Sequence, residues 1–161
     1  VHPKVLDLAE SPHEYTRWAA IEGLSNIADF AIQELARKLV QHKDLERARE
    51  ALALFVCNYQ PEDLPDILRL LSPVPDADDS YFLLRNLLDI VRNSACAEAA
   101  RALLPWVYQH SPCSCSRGPA VTLMQDRDCF LPEIAQECLH DSDEDIRSAA
   151  GAAVVASVAM A

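Results

Sequence analysis

Apolar residues recur along this chain at helical rather than strand spacing. Ile32, Leu35, Ala36, Leu39 and Val40 fall at i, i+3, i+4, i+7 and i+8, the stripe of a helix with one buried face. Leu45, Ala48, Leu52, Phe55 and Val56 repeat it after a polar joint at His42-Lys43-Asp44. Leu64, Ile67, Leu68 and Leu71 form a further stripe, as do Leu84, Leu87, Leu88 and Val91. Ala100, Leu103, Leu104 and Val107 follow, then Leu131, Ile134, Ala135, Cys138 and Leu139, and last Ile146, Ala149, Ala150, Ala153 and Val154. Few stretches alternate Val, Ile and Thr with a period of two, so strands find little support. The pattern predicts an all-α fold.

Punctuation divides the stripes. Ser11-Pro12-His13-Glu14 reads as an N-cap, a first-position proline and a capping-box acid, opening a helix through Trp18 and Leu24 toward Ile27. Tyr59 to Asp63 interrupts, and Ser72 to Asp79 is a Pro- and Asp-rich loop. Pro105 should kink or end the helix that carries it, and His110 to Pro119 reads as a loop of small, Cys and Pro residues. Val121 to Asp126 has moderate helical character, and Asp141 to Asp145 caps the last helix. The pieces are about 30–35 residues long, which gives about ten helices in five antiparallel pairs. A helix with one apolar stripe needs a wall that stacked neighbours supply. Residues 1–161 are therefore expected to form a single repeat domain, whose start at Val1-His2-Pro3-Lys4 suggests a piece of a longer chain.

Two segments carry a family resemblance. Thr16-Arg17-Trp18-Ala19-Ala20-Ile21-Glu22-Gly23-Leu24 and Ile146-Arg147-Ser148-Ala149-Ala150-Gly151-Ala152-Ala153-Val154 resemble the second helix of a HEAT repeat. Asp141-Ser142-Asp143-Glu144-Asp145 fits the acidic turn that precedes such a helix, and Ser11 to Tyr15 fits it more loosely. Leu64-Pro65-Asp66-Ile67 and Leu131-Pro132-Glu133-Ile134 resemble HEAT first helices with their proline. The intervening second helices, where Arg47 and Arg85 align only approximately, depart from the pattern, and an armadillo-like array is the neighbouring alternative. The resemblance implies a short right-handed α-α superhelix. It also implies that Arg17 and Arg147 pair with turn acids or neighbouring carbonyls.

Charge and composition narrow the function. The chain carries 14 basic and 25 acidic residues, a formal net charge of -11, which repels phosphate backbones and anionic membrane surfaces. A basic protein partner would be steered toward it. No apolar run is long enough for a membrane span; the apolar tail, Gly151 to Ala161, is too short. Cys57, Cys96 and Cys138 sit in helical apolar patterns, where a thiol behaves as a small hydrophobe, and a reduced, cytoplasmic protein is expected.

Candidate chemistry is sparse. The only His-Glu dipeptide, His13-Glu14, invites comparison with deoxyhypusine hydroxylase, a HEAT-like enzyme that binds two irons through several such pairs; one pair at a helix start does not make that site. His110, Cys113, Cys115 and Cys129 are the one metal-ligand grouping, but Cys113 and Cys115 are too close for ordinary zinc spacing and no second pair follows. Neither a phosphate loop nor a nucleophile elbow occurs. No cofactor, metal or catalytic residue is assigned.

What remains is surface recognition by a non-enzymatic scaffold that binds a protein or peptide. In HEAT-like arrays second helices line the concave face, which makes Tyr15, Trp18, Glu22, Arg49, Tyr81, Arg85 and Asp89 the contact set. Trp18 and Tyr81 could instead pack between repeats. The alternative is a HEAT-fold enzyme, either a lyase acting on a protein-bound group or a DNA glycosylase-like protein, which the shortage of Lys and Arg disfavours. The C-terminal helix lacks a polar outer face, so the chain is expected either to continue or to self-associate there.

Overall fold

The computed structural model describes residues 1–72, 77–112 and 114–159, with the side chains of 77–80, 114–116 and 156–159 outside the description. Every regular element among the described residues is helical. The chain divides into two compact units, Val1–Ser94 and Ala95–Ala161.

The first unit holds α1 (Pro3–Leu8), α2 (Glu14–Leu24), α3 (Phe30–Leu39), α4 (Leu45–Glu50), α5 (Leu52–Phe55), a single 3-10 turn (Pro61–Asp63), α6 (Leu64–Leu70) and α7 (Ala77–Asn93). Its centre is α5, which touches α2, α3 and α7. That placement explains why Ala51 through Val56 are all buried. Burying each large apolar side chain there contributes roughly 1.5–3 kcal/mol. The single stripe read from Leu45 to Val56 is broken at Ala51, so one expected helix is two short ones.

The second unit holds α8 (Ala97–His110), α9 (Ser114–Asp126), α10 (Pro132–Cys138) and α11 (Glu144–Ala159), with α9 against α8 and α11 and α10 against α11. Two proline expectations are corrected here. Pro105 does not end its helix, since α8 runs on to His110. The expected loop from His110 to Pro119 is helical from Ser114, with Pro119 inside α9. Pro119, the sixth residue of α9, forfeits one intrahelical bond, and the buried Ala120, Val121, Leu123 and Met124 that follow supply the packing to hold the turn. Asp128 closes α9 in the left-handed region at φ 49°, with Cys129 N–H donating to Met124 O and Asp128 N–H to Gln125 O.

Three interhelical turns are built alike. The Ser11 hydroxyl, the His42 ring and the Asp141 carboxylate each accept from the backbone N–H two residues on, at 3.2, 3.0 and 3.0 Å. The next helix begins one residue later, at Glu14, Leu45 and Glu144. Ser11 is thus a turn acceptor and not the N-cap that the Ser-Pro motif suggested; His13 holds that position without a side-chain bond. Arg17 and Arg147 complete the likeness. Arg17 Nη1 donates to Ser11 O at 3.1 Å, and Arg147 Nη1 to Asp141 O at 2.8 Å and Ser142 O at 2.9 Å.

Polar side chains tie successive pairs of the first unit together. Lys38 Nζ reaches Glu10 Oε2 at 2.5 Å, and Arg69 Nη2 reaches Val40 O at 2.7 Å and the Gln41 side chain at 3.4 Å. Buried Asn58 donates to Ile27 O and Leu54 O and accepts from Asp29 N–H, each at 2.9 Å. Asn93 donates to Val56 O at 3.1 Å.

Candidate functional site

The sequence of α2 puts two kinds of residue on opposite sides of one helix. Arg17, Ala20, Ile21 and Leu24 are buried, while Glu14, Tyr15, Trp18 and Glu22 are exposed at complementary helical spacing. Tyr15 is 87% and Trp18 51% exposed. Glu14, Tyr15 and Trp18 line a groove of about 330 Å³ together with Glu50 from the end of α4.

The groove's electrostatics depend on Arg17. Its guanidinium is buried and meets both oxygens of Glu50, with Nη2 to Oε1 at 2.8 Å and Nε bonded to Oε2. The hydrogen bond to Glu50 raises the Arg17 pKa further, against the opposing effect of burial. The basic residue of α2 is thereby turned inward, and the charges that α2 shows to solvent, Glu14 and Glu22, are acidic.

The other expected contact residues lie apart from this lining. Arg49 is buried, donating through Nε to Leu70 O at 3.0 Å and pairing with Glu46 at 2.8 Å. Tyr81, Arg85 and Asp89 share one side of α7; Tyr81 is 69% exposed, Arg85 lies 3.8 Å from Asp89, and Asp89 also pairs with Arg92. Glu50 was not among the expected residues, and its part in the groove depends on a contact with Arg17 that no local pattern announces. Glu14 is a capping acid by its sequence position and gains its place in the groove from the fold.

Of the metal-ligand grouping, Cys113 and the side chain of Cys115 lie outside the described residues. Among the described residues no three His, Cys, Asp or Glu side chains gather as a metal site. His110 stacks on Trp106 with ring centroids 4.1 Å apart, and its Nδ1 lies 2.7 Å from Trp106 O. Cys129 is buried, and burial pushes its thiol pKa up. Cys57 is half-buried, and Cys96 is the N-cap of α8, its sulfur accepting from Ala99 N–H at 3.5 Å. Both correct the expectation of buried thiols; Cys138 alone of the three is fully enclosed.

A further polar cluster lies among the described residues of the second unit. Tyr108 and Cys138 are buried, and burial raises both pKa values. Arg117 lies 5.8 Å over the Tyr108 ring and donates to Asp141 Oδ2 at 2.9 Å. Ordinary packing and charge pairing account for this group. No helix among the described residues is long and apolar enough to cross a membrane. In comparisons with known families, curated proteins and solved structures, nothing matches this chain.

Proposed function

We propose that the chain is a non-enzymatic interaction module of the helical-repeat class, which holds a protein or peptide at the Tyr15–Trp18 groove. The observation that carries this reading is the exposure of two large aromatic side chains in one concavity of a helix surface. Tyr and Trp offer large contact areas at little entropic cost, and they are enriched where partners dock. The likeness of the turns before α2, α4 and α11 supports reading the helix pairs as HEAT-like repeats. On that reading the three pairs of the first unit follow one another in a right-handed superhelix. Cytoplasmic placement belongs to the same proposal, and the buried thiols Cys129 and Cys138 suit a reducing compartment.

Selection of phage-displayed peptides on the full chain tests the proposal. Peptides enriched on the wild type should be lost on a Tyr15→Ala/Trp18→Ala variant whose circular dichroism is unchanged. Enrichment no better than on blank resin would count against any peptide-binding role.

A further inference from the structure

We propose that the Tyr15–Trp18 groove is a cation subsite, which takes the side chain of a lysine or arginine from a basic segment of a partner protein. The inference rests on the interaction-module reading and names the chemistry its groove selects.

Three features of the groove converge on a basic side chain. Its walls are aromatic, and a cation over a Trp or Tyr ring is attracted by the ring's negative face. Its polar lining is carboxylate, from Glu14 and from Glu50, whose charge Arg17 already meets, with Glu22 one turn beyond Trp18 on the same helix. The cation of α2 does not compete for the site, because Arg17 is only 6% exposed and is engaged by Glu50 and Ser11.

The alternatives fit less well. A neutral apolar group would cover the aromatic faces but strip water from Glu14 without replacing its hydrogen bonds. An anion would meet like charge in the groove and in the formal net charge of -11. A lysine or arginine satisfies both surfaces, its aliphatic stem lying on Trp18 and its charged head beside Glu14. The choice between the two bases is left to the carboxylate geometry, since a guanidinium can bond two oxygens at once.

The test uses the full chain in a ¹H–¹⁵N NMR titration, following the Trp18 indole Nε1–H, which is assigned by its disappearance in Trp18→Phe. The probes are n-butylguanidinium, n-butylammonium, n-pentanol and butyrate. Both cations should shift that resonance saturably, while n-pentanol binds more weakly and butyrate leaves it unmoved. Glu14→Gln should lower the cation affinity by about two- to five-fold, the loss expected for one exposed ion pair. Glu14 is an exposed first-turn residue, so this variant leaves the core intact. Equal shifts with n-pentanol, no saturable shift with either cation, or an unchanged affinity in Glu14→Gln would each overturn the subsite. Selected peptides that need Tyr15 and Trp18 but carry no basic residue would overturn it too, while leaving the interaction module standing. A selection that yields no peptide defeats the module reading itself.

Discussion

Both carboxylate oxygens of Glu50 accept from the one guanidinium of Arg17, which also donates to the carbonyl of Ser11. A single buried side chain thus joins the turn before α2 to the end of α4. Breaking a buried pair from one side leaves a charge without its partner, which costs more than the pair contributes.

Glu50→Ala should therefore destabilise the chain by about 3 kcal/mol, the low end of the range for a buried pair, since Glu50 keeps some contact with water. The double variant Arg17→Met/Glu50→Leu should recover most of that loss. Urea denaturation of the single and double variants checks both. A Glu50→Ala loss under about 0.5 kcal/mol would show that the pair behaves as a surface one.

Asn58 offers a second break point, because its amide satisfies three backbone groups in a buried turn. Asn58→Leu should cost about 2–3 kcal/mol from the polar groups left without partners. Asn58→Asp should cost more near neutral pH, since a carboxylate cannot donate to Ile27 O and Leu54 O. Its deficit relative to Asn58→Leu should shrink as the pH falls and the introduced acid becomes protonated. A pH-independent difference between the two variants would contradict the assigned hydrogen bonds.

The helices themselves were legible because their signal is local: apolar residues three and four apart reveal a buried stripe without knowledge of what covers it. The exposed side of α2 was legible only in part: Tyr15 and Glu22 fall opposite Ala20, Ile21 and Leu24, but spacing left Trp18 open to packing between repeats. Contacts distant in sequence were not. Arg49 reads as a surface residue until Leu70 O is placed beside its Nε, and Glu50 is one acid among several until Arg17 selects it. Pro119 misleads because it stands among small and Cys residues that together read as a loop, whereas it lies in the second turn of a helix whose later residues pack firmly.

Asp141 makes the second unit sensitive to acid. Its carboxylate accepts from Asp143 N–H and from Arg117, and the backbone bond first, then the Arg117 charge, hold its pKa below the ordinary value. A lowered folded-state pKa means that the unfolded chain binds the proton more readily. The stabilisation is complete above the unfolded carboxylate pKa of about 3.9 and is lost as the pH falls through the folded value. Asp141→Asn should be less stable than the wild type at pH 6, with the gap closing below about pH 4. Urea midpoints of the two proteins across that range give the comparison, and a constant gap would rule out this linkage.

Burial also decides which thiols can react. The thiolate is the nucleophile, and Cys138 sits fully enclosed, while Cys129 is buried near the end of α9. Burial pushes both thiol pKa values up, so each is protonated as well as inaccessible in the folded chain. Cys57 retains contact with solvent. Iodoacetamide at pH 8, followed by peptide mass spectrometry, should modify Cys57 before Cys129 and Cys138, which react only as fast as the second unit opens. Tyr108→Phe removes the hydroxyl and leaves the ring, so it should quicken Cys138 labelling only by the factor that it destabilises the fold. Labelling of Cys138 at the Cys57 rate in native buffer would mean that the α8–α10 region opens far more readily than its packing allows.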